Sequence, residues 1–259
     1  MIFSLIFAIN QEMMLIVIFG TYIFILIYYL YKKIKIPNSI YIMVLISILG
    51  FLNISICPGN HIRYSTEIFA WFPDYGTLNL LNKLDIGITT MFYKLLLKID
   101  LVVLLFFGAI GTYTYLIMNK KKTLVSFIPF FFLSFIYTLN ILNVHSTISL
   151  FESNFPVYGI FASNLNFIIV FTPLYLLVIL SILYNLIQIY KHKVMFYKLL
   201  CLLLLAIASQ LILGFSPTVW ASEDRWWIIY HILISITTFI LMSDLLKTKF
   251  LENKMNPST

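Results

Sequence analysis

Long apolar stretches alternate with short polar ones along almost the whole chain. Seven of the apolar stretches approach the roughly 20 residues that an α-helix needs to cross the hydrocarbon core of a bilayer. They are Met13–Tyr31, Ser39–Ile56, Leu101–Met118, Thr123–Leu142, Leu165–Tyr190, Met195–Phe215 and Trp226–Leu246. The pattern predicts an all-α integral membrane protein, a bundle of about seven transmembrane helices.

Basic and acidic residues occupy alternate gaps between the apolar stretches. Twelve of the 17 Lys and Arg residues fall in or beside every second gap between the apolar stretches, and eight of the ten acids fall in or beside the other gaps. Short basic loops remain on the cytoplasmic side of a membrane. We therefore expect the N-terminus of the bundle outside and the C-terminal tail inside. The outer loops then hold most side chains that are able to do chemistry.

Composition supports a membrane protein and argues against a nucleic-acid-binding one. The chain is 61% hydrophobic and only 10% charged, whereas a soluble domain is about 25% charged. Its net charge of +7 comes mostly from short loops between spans, so topology explains it and no nucleic acid partner is expected. Heavy use of Ile, Lys, Asn, Phe and Tyr is typical of a low-GC bacterium, which places the protein in a plasma membrane.

The chain divides into an apolar stub, a bundle and a tail. The first nine residues reach only about 14 Å as a helix, half of the hydrocarbon core. We interpret residues 1–12 as the remnant of a truncated helix; an interfacial or re-entrant segment is the alternative. Residues 13–246 form a single transmembrane bundle, and residues 247–259 form a cytoplasmic tail.

The first long outer loop opens with Cys57-Pro58-Gly59-Asn60-His61, followed by Arg63. Pro and Gly end the preceding helix here, which leaves free backbone polar groups at the membrane surface. The planar guanidinium of Arg63 suits a phosphate or a carboxylate, and Asn60 and His61 are candidate ligand contacts beside it. Glu67 lies four residues further on, where it pairs with Arg63 if the segment is a short helix. A capped helix end with a local ion pair is the structural alternative.

Three further sites carry candidate chemistry. The segment Trp71-Phe72-Pro73-Asp74-Tyr75 combines rings with a carboxylate, which suits either a sugar or anchoring among lipid head groups. The last outer loop holds Gly214–Thr218 and then Arg225, a second anion fork. Glu12, just before the first full span, is either a base, a metal ligand or a partner of the helix dipole.

A few polar residues lie inside or beside the spans. We expect His231 to bond a neighbouring helix, with proton transfer or a phosphate contact as the alternative. Asp100 is expected to cap the third span, Gln210 to bond another helix, and Asp244 to be solvated near the inner end. The stretch Phe92–Leu97 predicts a helix in the outer interface.

No sequence motif for a nucleotide, a haem or a metal is present. Cys57 and Cys201 lie toward opposite sides of the membrane, so they do not form a disulfide. No cofactor is therefore evident and no metal ligands are assigned, while the acids of the outer loops leave the binding of a divalent metal as an open alternative.

The outer motifs resemble a known group of proteins. Pro58-Gly59-Asn60-x-x-Arg63, Trp71-Phe72-Pro73-Asp74-Tyr75 and Phe215-Ser216-Pro217-Thr218 before an Arg resemble bacterial polytopic membrane proteins of the cell envelope. These are related to the C-type, lipid-linked-sugar glycosyltransferases. The resemblance covers most of the chain and matches the C-terminal half of that family. The earlier outer loop, which holds catalytic acids in the family, is represented here only by Glu12.

The resemblance implies a glycosyltransferase-like membrane enzyme, or its C-terminal half. It would act at the outer face on a polyprenyl-phosphate-linked sugar in cell-envelope glycan synthesis, with membrane lipid and other membrane proteins as partners. The catalytic candidates are Glu12, Glu67 and Asp74. The substrate-binding candidates are Asn60, His61, Arg63, Trp71, Arg225 and His231. A transporter or flippase for a lipid-linked or anionic solute, and a non-catalytic accessory subunit of an envelope-synthesis complex, are the alternative functions.

Overall fold

A computed structural model describes residues 11–117, 124–142, 158–159, 165–219 and 227–255. Within these ranges all regular structure is helical, and no strand occurs. The α-helices are α1 (Glu12–Lys32), α2 (Asn38–Ile56), α3 (Pro58–Trp71), α4 (Leu80–Leu97), α5 (Leu101–Ile117), α6 (Ile128–Ile141), α7 (Leu165–Ile189), α8 (Lys193–Leu211) and α9 (Trp227–Met255). Short 3-10 turns lie at Pro73–Thr77, Leu124–Phe127 and Ile212–Phe215.

Each of the seven predicted apolar segments coincides with a helix. In the described part of the chain, five helices are long and apolar enough to cross a membrane. They are Glu12–Lys32, Asn38–Ile56, Leu124–Ile141, Lys193–Phe215 and Trp227–Lys247. Two more apolar helices, Leu101–Leu116 and Leu176–Ile189, are shorter. The fold is therefore all-helical with several membrane-competent helices, as the hydropathy pattern predicts.

The chain forms two compact units. The first comprises Met1–Met91, Val157–Ala162 and Leu204–Tyr230. The second comprises Phe92–Pro156, Ser163–Leu203 and His231–Thr259.

The first unit begins with a helical hairpin of α1 and α2. Leu15 and Met43 are buried at its centre, and Phe19 meets Phe51 edge to face with ring centroids 5.5 Å apart. Lys33 ends α1 in the left-handed conformation at φ 54°. Its backbone N–H donates to the Leu30 carbonyl, and the N–H of Ile34 donates to the Tyr29 carbonyl, each at 3.1 Å. This left-handed cap reverses the chain within a few residues, so α2 returns beside α1.

Also in the first unit, Gly87 and Gly214 allow the backbone of α4 to lie close to the backbone at the end of α8 and in the turn after it. A Cβ at Gly87 in α4 would lie 2.5 Å from the Leu211 carbonyl oxygen. A Cβ at Gly214 would meet the Lys83 carbonyl oxygen and would lie 2.7 Å from the Gly87 nitrogen. The start of α4 therefore packs directly on the 3-10 turn that follows α8, with no side chain between the two backbones.

In the second unit, α5, α6 and α7 pack together. Phe106, Phe107 and Ile110 of α5 are almost fully buried. Asn185 of α7 donates to the carbonyls of Ser126, at 3.3 Å, and Ser181, at 2.9 Å. The bond to Ser126 joins α7 to the turn before α6, where an unbonded backbone carbonyl would be costly in lipid.

Asp100 joins two helices of the second unit, as we expected. Its Oδ1 accepts the backbone N–H groups of Val102, at 3.0 Å, and Val103, at 3.1 Å, which caps α5. Its Oδ2 lies 2.7 Å from Nε2 of His231 in α9. The predictions of a cap and of a helix-bonded histidine are both confirmed.

The other polar residues predicted within or beside the spans differ in outcome. Asp244, which was expected to be solvated, is half-buried and accepts a hydrogen bond of 2.7 Å from the Tyr113 hydroxyl. Gln210 was expected to bond another helix, yet it is fully buried and its amide has no hydrogen-bond partner among the described residues. The helix predicted at Phe92–Leu97 is confirmed as the end of the longer α4, in which Lys94 is buried.

Candidate functional site

A cleft of about 260 Å³ lies within the first unit, where three helix ends meet. Glu12 stands at the start of α1, Ile54 and Ser55 stand at the end of α2, and Phe215 ends the turn after α8. The predicted alternation of the spans places these three ends on the same side of the membrane. The cleft therefore collects polar groups at the end of the helices remote from Lys32 and Lys33.

Helix α3 supplies the polar wall of the cleft. Asn60, Arg63, Tyr64 and Glu67 all line it. Their spacing of i, i+3, i+4 and i+7 places them on one face of an α-helix. One helical stripe thus presents an amide, a guanidinium, a phenol ring and a carboxylate to the same space.

Asn60 and His61 fix the start of α3 to the end of α2. The Asn60 amide donates to the Ile54 carbonyl at 3.0 Å, and Nε2 of His61 lies 2.9 Å from the Ser55 carbonyl oxygen. Both carbonyls belong to the last turn of α2, where Pro58 prevents the helix from continuing. Because a carbonyl only accepts, Nε2 of His61 carries the hydrogen in this bond, which leaves Nδ1 as the nitrogen for a ligand.

Arg63 and Glu67 form the ion pair that their spacing predicts. Nε of Arg63 lies 3.2 Å from Oε1 of Glu67. The Arg63 side chain is 59% exposed and the Glu67 side chain 22% exposed. The contact uses only the inner nitrogen of the guanidinium, and no other ion pair of Arg63 occurs within the described residues. The two terminal nitrogens therefore remain as donors for an anion.

Glu12 is the second carboxylate of the cleft. It is half-buried in the first turn of α1, where the helix dipole stabilises its negative charge. It forms no ion pair with any residue that the structure describes. Glu67 is tied to Arg63, so Glu12 is the carboxylate better placed to take a proton from a ligand.

The opposite wall comes from the far end of the sequence. Phe215, Ser216 and Pro217 line the cleft, and the Ser216 and Thr218 hydroxyls lie 2.9 Å apart. The buried Tyr75 holds this segment through a 2.7 Å hydrogen bond from its hydroxyl to the Gly214 carbonyl. Burial, with smaller contributions from Tyr64 and Glu12, raises the pKa of Tyr75, so its hydroxyl remains a donor.

We expect Tyr75→Phe to lower the free energy of unfolding by about 2 kcal/mol, because the buried Gly214 carbonyl loses its donor. Tyr64→Phe is the matched control, since Tyr64 also carries a ring against Tyr75 but is 37% exposed. Thermal denaturation of both variants in detergent measures the difference. Equal melting temperatures for the two variants would contradict a structural role for the Tyr75 hydroxyl.

Three of the remaining predicted site residues, Asp74, Trp71 and His231, do not line the cleft. Asp74, in the turn after α3, is exposed and accepts a 2.8 Å hydrogen bond from the Tyr158 hydroxyl, which raises the pKa of Tyr158. Trp71 is 63% exposed at the end of α3. His231 belongs to the second unit and is bonded to Asp100. Arg225 lies outside the described residues.

Sequence reasoning did not select Tyr64 or Ser55, and it named Ser216 only as part of the last outer loop and its motif. The repeat of polar residues from Asn60 to Glu67 at helical spacing would have identified Tyr64. No comparable signal joins Ser55 to Ser216, because they come together only through packing of α2 against the segment after α8.

The described residues contain no group of three or more His, Cys, Asp or Glu side chains able to hold a metal ion. Comparison of the sequence with protein-family models, and of the chain with curated proteins and solved structures, found no match.

Proposed function

We propose that the protein is a seven-span membrane protein of the bacterial cell envelope, with its N-terminus outside, that transfers a sugar from a polyprenyl-phosphate carrier at the outer face. One observation carries the proposal. An exposed arginine fork and a half-buried carboxylate, Arg63 and Glu12, line one cleft at the end of membrane-competent helices. A phosphate-linked sugar needs both an anion partner for the carrier and a base for the acceptor.

Within this proposal the residues divide the work. Glu12 takes the proton of the acceptor hydroxyl, whose oxygen attacks the anomeric carbon of the sugar. The bond between that carbon and the phosphate oxygen breaks, and the polyprenyl phosphate leaves as an anion beside the terminal nitrogens of Arg63. Glu67 acts as a positioning residue, because its carboxylate holds Nε of Arg63 and so aims the fork.

Asn60, His61 and Tyr64 would contact the sugar or the phosphate. Nδ1 of His61 is not needed for the bond to α2, because Nε2 already donates to the Ser55 carbonyl. The ring of Tyr64 offers an apolar surface to a sugar ring. Asp74, Trp71 and His231 lie outside the cleft, and their functional roles remain predictions of the sequence, as does that of Arg225.

The test is transfer by the purified protein in lipid vesicles that contain a polyprenyl-phosphate-linked radiolabelled hexose. We expect Glu12→Gln to lower the rate of transfer to a glycan acceptor by about 100-fold, because general base catalysis contributes about that much or more. Gln11→Ala is the matched control, since Gln11 is exposed, next in sequence, and makes no side-chain cap.

Full transfer by Glu12→Gln would refute the base assignment. If the wild-type protein moves the labelled lipid across the vesicle membrane and forms no covalent product, it is a transporter or flippase and not a glycosyltransferase. If it is inactive alone but purifies with a second membrane protein that restores synthesis, it is an accessory subunit.

A further inference from the structure

Helix α3 has an apolar edge on the side away from the cleft. Ile62 and Phe69 are seven residues apart, which places them on one face, and they lie roughly opposite the stripe from Asn60 to Glu67. Phe69 is 87% exposed and Ile62 is 67% exposed. No residue of α3 is buried against the rest of the protein. The helix is therefore amphipathic, with a polar face on the cleft and an apolar face that nothing in the described chain covers.

We propose that this edge, Ile62 and Phe69, docks on the bilayer surface, so that α3 is an interfacial helix lying in the lipid head-group layer. Three observations favour lipid as the partner of this edge. They are the position of α3 directly after α2, the exposed apolar residues of α2, and the aromatic residues on α3 itself. The inference does not depend on sugar transfer.

The length of α2 indicates how deep in the membrane α3 begins. Its 19 residues extend about 28 Å, close to the roughly 30 Å thickness of the hydrocarbon core. Only Cys57 separates the end of α2 from the start of α3, and it has extended backbone angles. Helix α3 therefore starts where the hydrocarbon core ends, which is the layer that amphipathic helices occupy.

Exposed apolar residues on α2 lead up to the start of α3. Leu45, Leu49, Leu52 and Ile56 of α2 are exposed apolar residues, and Ile56 is 72% exposed. On a membrane-competent helix such a surface faces acyl chains. On α3, after the helix break, Ile62 and Phe69 are again exposed apolar residues.

Two aromatic residues on the polar face of α3 are also typical of the lipid head-group layer. Tyr64 and Trp71 lie on the cleft side of α3, and both are partly or largely exposed. Tyrosine and tryptophan concentrate where the membrane meets water. A helix anchored in this way holds the polar stripe of α3 at the level of the lipid phosphates, which suits the carrier phosphate proposed above.

Spin labels on single cysteines test the depth of α3. The background replaces Cys57 and Cys201 with serine, and the label goes to Ile62→Cys or Phe69→Cys in the full chain, reconstituted in phosphatidylethanolamine and phosphatidylglycerol vesicles. We expect oxygen, which concentrates in the acyl chains, to relax both labels more than a water-soluble nickel complex does. At Tyr64→Cys, on the polar face, we expect the reverse order.

Two results would overturn the proposal. Stronger relaxation by the nickel complex at Ile62→Cys and Phe69→Cys would place the edge in water. Weak relaxation by both reagents would show that another protein or a second copy of this chain covers it. Since Ile62 and Phe69 are exposed in the structure, labelling either one leaves the packed core unchanged, and the two positions check each other.

Discussion

Arg63→Lys is expected to lower sugar transfer by about 100-fold while leaving the fold intact. Lysine keeps the positive charge but loses the planar fork, and only the fork offers Nε to Glu67 and the terminal nitrogens to a phosphate at the same time. Loss of one group that stabilises developing charge reduces turnover by a factor of about 100 or more. The exposed position of Arg63 means that the exchange leaves no buried cavity.

The measurement is transfer at saturating carrier, with the apparent affinity for the carrier determined separately. Lys198→Arg is the matched control, because it exchanges the same two residue types at an exposed position of α8. We expect Lys198→Arg to transfer at the wild-type rate. An Arg63→Lys protein that melts normally and transfers at full rate would remove Arg63 from the proposed mechanism.

Gly214→Ala is expected to be the most destabilising small substitution in the first unit. The added Cβ would meet the Lys83 carbonyl oxygen and would lie 2.7 Å from the Gly87 nitrogen. Both contacts are backbone atoms of α4, which cannot move aside as the end of a side chain can. We expect a loss of about 3 kcal/mol or more in the free energy of unfolding.

Gly76→Ala is the control for Gly214→Ala, because a Cβ at Gly76 meets nothing within 4 Å. Thermal denaturation in detergent should show a fall of about 10 °C in melting temperature for Gly214→Ala, and almost none for Gly76→Ala. The displaced segment also carries Phe215 and Ser216, so ligand binding in the cleft should weaken in the same variant. An unchanged melting temperature would mean that the turn after α8 relaxes freely away from α4.

The chemistry of α3 could be partly predicted from its sequence. Pro58 marks the helix break, and the spacing of Arg63 and Glu67 predicts the ion pair that the structure contains. These are local effects, because residues four apart on a helix meet whatever surrounds them. Asn60 and His61 were predicted as ligand contacts, and their side chains also bond the carbonyls of α2.

The polar residues of the spans were harder to predict. Asp100 acts through its own helix and was correctly predicted as a cap. Asp244 and Gln210 depend on which residue a different helix places beside them. Tyr113, whose hydroxyl bonds Asp244, lies 131 residues away in the sequence. The periodicity of apolar residues does not predict a contact between residues so far apart in the chain.

Hydropathy and helical spacing were enough to predict the helical class, the positions of the apolar helices and the ion pair on α3, because both act over a few residues. Which polar residues share a cleft depends on tertiary packing. Glu12, Arg63 and Ser216 lie far apart in the chain, and they meet because helix ends pack on the same side of the first unit. Packing also places Gly214 against the backbone of Lys83 and Gly87, and Gly87 against the backbone of Leu211, contacts that no local pattern encodes.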